Sequence, residues 1–277
     1  MRQTPPMTPR ALLFDLDNTL LFEDQATLGA VRAACERARG LADVDELSAA
    51  AVRIADEHWR AAPTYPYADA MGMWWGEGLW GDFRGEDDDL RAVREFATRF
   101  RREVWRDALA ACGASDDALA AELSEAYRSA RRAGELVDPQ ATTVLEDLSR
   151  DHSCALVTNG ASDVQREKIG RTTLARYFTA IIISAEVGVG KPDPRIFEIA
   201  LDTIGAAAHA TVMIGDSVPR DVAGARNAGL RSIWIDRGQA WSRADEPVPD
   251  ARILALSEIR AALAAMGPGA ASPRGST

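Results

Sequence analysis

Residues Ala11–Leu20 read A-L-L-F-D-L-D-N-T-L. An apolar run, Ala11 to Phe14, ends abruptly in Asp15, Asp17 and Thr19. Four apolar residues bounded by a polar turn suit a buried strand, with the polar cluster at its C-terminal end. Open parallel α/β sheets place their ligand crevice there. Two carboxylates two residues apart point the same way along an extended chain. Such a pair can divide its labour between nucleophile or metal ligand and acid/base. Taken alone, D-x-D-x-T fits a turn or a helix cap equally well.

The next stretch determines how that strand is used. From about Gln25 to Ala133 the pattern is helical. Leu28, Val31, Cys35 and Ala38 share one face, as do Val93, Phe96, Phe100 and Val104, and a further helix runs through Leu119, Leu123, Ala126 and Tyr127. Between them Tyr65–Phe83 is rich in aromatics and glycine, which suits a loop or broken helix. Glu86–Asp89 is expected to be a solvated turn.

After Asp138-Pro139 helices and strands alternate. Strands are expected at Cys154–Val157, Ile181–Ser184, Thr211–Ile214 and Ser232–Ile235. Helices are expected at Ala141–Arg150, Ser162–Gly170, Pro194–Ile204, Asp221–Ala228 and Ser257–Met266. Such alternation means a parallel sheet covered on both faces, a doubly wound Rossmann-like α/β core. The first strand has no partner nearby, so residues 1–21 join 136–266 and residues 22–135 form an all-helical insertion. Residues 1–9 are expected to be loose, and 267–277, rich in Gly, Pro and Ser, to be a disordered tail.

Composition limits the partners. The 277-residue chain is 47% hydrophobic and 27% charged, ordinary for a globular protein. A net charge of −10 argues against nucleic acid or an anionic membrane. Cys35, Cys112 and Cys154 are too few and scattered for a disulfide framework, and His58, His152 and His209 lack metal-ligand spacing. No apolar run approaches the roughly 18 residues of a membrane span, and prolines interrupt the N-terminus where a signal peptide needs an apolar core. These features lead us to expect a cytoplasmic protein, monomeric or homodimeric.

Four strand ends carry polar signatures: D-L-D-N-T, T-N-G, the turn G-K-P-D-P and G-D-S-V-P-R-D. A parallel sheet brings them to one edge. Asp15 then offers a nucleophile and Asp17 an acid, while Asp15 and Asp216 suit a hard divalent cation such as Mg²⁺. Thr158 offers a hydroxyl, Asn159 and Gly160 offer N–H groups at a helix start, and Lys191 a compact positive charge. Together these form a phosphoryl-transfer site, although each motif alone also fits a turn or cap. Of 32 basic residues only Lys168 and Lys191 are lysine. At a strand-end turn, that choice points to a need for a point charge rather than a guanidinium fork. Lys168 fits either a site role, including substrate contact, or a solvated helix position.

The four motifs, in this order, resemble those of the haloacid dehalogenase-like hydrolase superfamily, over essentially Ala11 to Met266. The insertion resembles the helical C1-type cap of that superfamily. The string T-N-G-A-S-D-V-Q-R-E-K-I is similar to the branch containing N-acylneuraminate phosphatases and pyrimidine 5′-nucleotidases. The resemblance implies a phosphatase working through an aspartyl-phosphate on Asp15. Asp17 protonates the leaving oxygen and then activates water. Thr158, Asn159 and Lys191 hold the phosphate. Mg²⁺ sits on Asp15, the Asp17 backbone carbonyl and Asp216, with Asp221 in support. Burial and a like-charged neighbour are expected to favour a protonated Asp17.

Two departures stand out. Ser217 occupies a position where some relatives have a second acid, and the aromatic stretch matches no familiar pattern. Within it, Trp74 and Trp75 either face the crevice and stack on substrate or join Trp80 in the insertion's own core. The implied substrate is a small phosphorylated metabolite, a sugar phosphate or nucleoside monophosphate. A phosphomutase is possible on the same residues. So is a catalytically silent phosphate-binding module, whereas Asp17 argues against a true haloacid dehalogenase.

Overall fold

The computed structural model describes residues 9–238 and 247–267. The loose N-terminal segment is therefore described only at residue 9 and the proposed tail only at residue 267; the rest of both lies outside the described residues. Six parallel strands form one sheet: β1 Ala11–Phe14, β2 Ser153–Thr158, β3 Ala180–Ile183, β4 Thr211–Gly215, β5 Arg231–Ile235 and β6 Ala251–Ile253. Their order is β3-β2-β1-β4-β5-β6. As expected, β1 finds its partners only beyond the helical stretch: Ala11 registers with Ser153 on one side and Thr211 on the other.

The two-residue period of a strand sorts the core onto two faces. Leu12, Phe14, Cys154, Leu156, Val212 and Ile214 pack on one face, and Leu13, Ala155, Val157 and Met213 on the other. All are essentially inaccessible to solvent. Each large apolar side chain so buried contributes roughly 1.5–3 kcal/mol.

Between β1 and β2 lie helices α1 Glu23–Cys35, α2 Val44–Arg60, α3 Tyr65–Met71, α4 Trp75–Gly78, α5 Asp88–Ala111 and α6 Asp117–Arg132. Caps fix three starts: Asp43, Asp87 and Asp116 accept from Glu46, Leu90 and Leu119 N–H at 3.0, 3.0 and 2.9 Å. These helices share a core around Trp59, Phe100 and Trp105 that reaches Ala161 and Val164 after β2. The aromatic stretch is a broken helix, interrupted at Gly72 with φ +75°. The chain leaves and re-enters the sheet layer side by side, Phe22 N–H donating to Leu136 O at 2.7 Å and Asp138 N–H to Leu20 O at 2.9 Å.

The remaining helices are α7 Ala141–Leu148, α8 Ser162–Gly170, α9 Ser184–Val187, α10 Pro194–Ile204, α11 Ala223–Asn227 and α12 Ile259–Ala265. Three details depart from expectation. Ser184 opens α9 rather than closing β3, and β6 was too short to read from its pattern. Asp221 lies in a widened helical turn, Val218–Val222, ahead of α11. Among the described residues no helix is long and apolar enough to cross a membrane.

Candidate active site

The C-terminal ends of β1, β2 and β4 and the turn after α9 meet at one edge of the sheet. They enclose a cavity of about 240 Å³ lined by Asp15, Asp17, Asn159, Lys191, Asp216 and Asp221, with Trp74 and Glu77 on the side of the insertion. Asp15 continues β1, its N–H donating to Ile214 O at 2.9 Å. Its carboxylate is buried between Lys191 Nζ, 2.5 Å from Oδ1, and Thr19 Oγ1, 3.1 Å from Oδ2. Thr19 also lies 3.4 Å from Asp216 Oδ1 and accepts from the Asp216 N–H at 3.1 Å. Arg237 secures the turn after β1 through the carbonyls of Asn18 and Thr19, at 3.0 and 2.8 Å.

Asn159 places Lys191. Its amide exchanges two hydrogen bonds with the Lys191 backbone, at 2.9 and 2.8 Å, which fixes the turn from which the ammonium extends. Lys191 Nζ also reaches Asp221 Oδ1 at 2.6 Å, while Asp221 Oδ2 accepts from the Ser217 N–H at 3.0 Å. This close approach requires Gly215, because a Cβ there would lie 2.2 Å from Asp221 Oδ2.

Asp15, Asp216 and Asp221 each bring one carboxylate oxygen within 4.8 Å of the others. Three buried oxygen donors fit a hard divalent cation. Asp221 thus stands in the same cluster as the two expected ligands, and Ser217 meets it through its backbone, donating its N–H to Oδ2 and accepting the Asp221 N–H at 2.7 Å. Burial is the main force pushing the Asp15 carboxyl up to about 7; Lys191 opposes it, and the charges of Asp221 and Asp17 add to it. Burial works to lower the Lys191 ammonium, but Asp15 and Asp221 outweigh it, so its pKa rises. A cation among these carboxylates would relieve the same repulsion.

The family model for haloacid dehalogenase-like hydrolases matches residues 9–229. The chain belongs to this family. The phosphoserine phosphatase of Thermus thermophilus is 39% identical over 252 residues, 90% of this chain and 97% of that one. The rat (Rattus norvegicus) N-acylneuraminate-9-phosphatase is 27% identical, covering 92% of this chain and 93% of that one. A solved HAD-hydrolase, YfnB of Bacillus subtilis, superposes with a TM-score of 0.65 at 24% identity, covering 92% of this chain and 98% of that one, and shares the fold.

Set beside the motifs of the haloacid dehalogenase-like hydrolases, several expectations need correction. Thr158 is fully buried and does not line the cavity; its hydroxyl accepts from Gln165 Nε2 at 2.6 Å and faces the Asn159 carbonyl at 3.3 Å. The Gly160 N–H donates to Ser184 Oγ at 2.9 Å, and Ser184 donates onward to Met71 O at 2.7 Å, so this N–H is engaged by the protein. The side chain of Asp17 is 23% exposed rather than buried. Lys168 Nζ lies 3.1 Å from both its oxygens and Gln165 Nε2 3.0 Å from Oδ2, so a cation and an amide donor stand beside it in addition to the like-charged neighbours expected.

Lys168 is fully buried and does not line the cavity, so it is not the solvated helix residue that was one of its expected readings. It also meets Glu77 Oε1 at 3.0 Å and Glu23 Oε1 at 3.4 Å. Arg131 grips Glu23 from the other side at 2.9 and 2.8 Å. Burial pushes the Glu77 carboxyl up to about 7, Lys168 opposing and Asp17 and Glu23 adding to it. Opposing burial, the three carboxylates raise the pKa of the Lys168 ammonium. Sequence reasoning missed Glu77, Glu23 and Gln165. The one signal available was the i, i+3 spacing of Gln165 and Lys168 on a single helix face.

The tryptophans divide. Trp74 is half-buried and lines the cavity. Trp75, 8% exposed, packs in the core of the insertion and lines a second cavity with Trp59, Tyr65 and Trp74 itself. Trp80 is wholly buried, with the Arg131 and Arg132 guanidinium groups 5.3 and 5.5 Å from its ring centre.

Proposed function

We propose that this hydrolase is a Mg²⁺-dependent phosphomonoesterase that passes the phosphoryl group through Asp15. The observation that carries the reading is the buried Asp15 carboxylate held against Lys191, with Asp17 in the same cavity and two carboxylates alongside. Asp15 attacks phosphorus and the bond to the leaving oxygen breaks. Asp17 gives that oxygen a proton, leaving an alcohol and an acyl phosphate on Asp15. Asp17, now a carboxylate, takes a proton from water as the water oxygen attacks phosphorus, which releases inorganic phosphate and restores Asp15. Lys191 holds Asp15 in line and neutralises charge on the transferring group.

Asp15, Asp216 and the Asp17 backbone carbonyl would hold the magnesium ion, with Asp221 beside them. The ion supplies positive charge to the phosphate oxygens that an otherwise acidic chain lacks. Asn159 acts by fixing the Lys191 turn.

In this reading residues 22–135 act as a cap over the crevice. Met71 and Gly72 press onto the site: a Cβ at Gly72, where φ is +75°, would lie 2.5 Å from Asn159 Cβ. Such a cap excludes water and selects the leaving group. The small polar cavity supports a sugar phosphate or nucleoside monophosphate. Phosphoserine, named in the Thermus relative, belongs in the same test. Three free cysteines support a cytoplasmic setting.

The test is phosphate release from a panel of these esters with and without magnesium. Metal-dependent release with a preference of about tenfold or more for one ester is expected of a specific site. Release from no ester would overturn the reading.

A further inference from the structure

Helix α8 turns two buried polar side chains, three residues apart, onto one carboxylate. Gln165 Nε2 donates to Asp17 Oδ2 at 3.0 Å and to Thr158 Oγ1 at 2.6 Å, using both of its N–H groups. Lys168 Nζ lies 3.1 Å from each Asp17 oxygen. Neither residue lines the cavity, and both are 0% exposed, so whatever they do for the reaction passes through the groups they hold, of which Asp17 is the one they share.

Burying an ammonium is costly unless carboxylates surround it. Glu77 and Glu23, at 3.0 and 3.4 Å, already supply two. A tie whose only task was to fasten the helical insertion to α8 would be complete with those. All three carboxylates line the cavity, but the third, Asp17, is the one that both side chains of α8 hold, and it stands two residues from Asp15. A carboxylate on a partly exposed turn otherwise has free rotation about its side-chain bonds, and proton transfer demands a fixed distance and direction.

We propose that Gln165 and Lys168 are positioning residues that fix the Asp17 carboxyl for proton transfer to the leaving oxygen. The proposal rests on the reading of Asp17 as the general acid.

Loss of acid catalysis harms esters of basic alcohols more than esters of acidic ones, whereas loss of structure harms both alike. The experiment therefore compares kcat/KM for p-nitrophenyl phosphate and phenyl phosphate in the full-length, magnesium-loaded enzyme. Asp17→Asn should widen the ratio between the two by on the order of 10²-fold. Gln165→Met and Lys168→Met should each widen it by about tenfold, a misplaced acid being worth less than a placed one but more than none.

Equal losses on both esters in these two variants, with Asp17→Asn still widening the ratio, would overturn the positioning role. An unchanged ratio in Asp17→Asn would instead overturn the general-acid reading on which the role depends. Lys168→Met leaves Glu77 and Glu23 without their shared cation. Should that variant not fold, Gln165→Met, which removes no charge, decides the matter alone.

Discussion

Lys191 Nζ stands 2.5 Å from Asp15 Oδ1 although 176 residues separate the two in sequence. The same ammonium reaches Asp221 at 2.6 Å, so one small cation ties the end of β1 to the turn after β4. A guanidinium is planar and wider and cannot occupy that point between two carboxylates. Lys191→Arg is therefore expected to lower kcat/KM by about 10²-fold or more, the size of a lost preorganised charge. Near wild-type rates in that variant would show that the compact charge is not required.

Asp15→Asn removes the proposed nucleophile while keeping the shape of the side chain. Turnover should fall by roughly 10³-fold or more. The circular dichroism spectrum should be unchanged, because Lys191 retains Asp221 and Thr19 retains Asp216. Magnesium-dependent hydrolysis within tenfold of wild type would remove Asp15 from the chemistry.

Asp216→Asn tests the metal assignment. Removing one charged oxygen donor from a cluster of three should raise the magnesium concentration needed for half-maximal phosphate release by about tenfold. Calorimetric titration of magnesium without substrate should show the same weakening. An unchanged midpoint in both measurements would place the ion elsewhere.

Trp74 and Trp75 are neighbours in sequence with different placements. Trp74 precedes α4 in extended conformation, φ −134° and ψ 169°, and its ring reaches the cavity, while Trp75 opens the helix and faces inward. Trp74→Ala should raise KM for the preferred substrate and leave p-nitrophenyl phosphate hydrolysis nearly unchanged. Trp75→Ala should lower stability by about 3–5 kcal/mol in urea unfolding, as for other buried tryptophans. A stability loss of that size in Trp74→Ala, with both substrates affected equally, would make Trp74 structural as well.

The core of the site was legible because a parallel sheet gathers its strand ends. Asp15, Asn159, Lys191 and Asp216 each follow an apolar run or a turn, and the topology alone brings them together. The missing partner for β1 likewise announced the insertion. What escaped were relationships carried by side chains across long sequence separations. Nothing in the sequence near Lys168 points to Glu77, 91 residues away, or to Asp17, 151 residues away. The Gly160 N–H was expected to be available for a phosphate because T-N-G reads as an open helix start. Ser184, which opens α9, takes it instead. β6 has only three residues at the sheet edge, below the length at which alternation can be recognised.

The central claim is that Asp15 carries the phosphoryl group between two displacements, and the stereochemical course at phosphorus tests it most directly. Each in-line displacement inverts the phosphorus centre, so transfer to Asp15 followed by transfer to water gives net retention. Hydrolysis by the magnesium-loaded enzyme of a phosphate monoester made chiral with oxygen isotopes, in water carrying the remaining isotope, should yield inorganic phosphate of retained configuration. Net inversion would mean that water attacks the substrate directly, and would contradict the account.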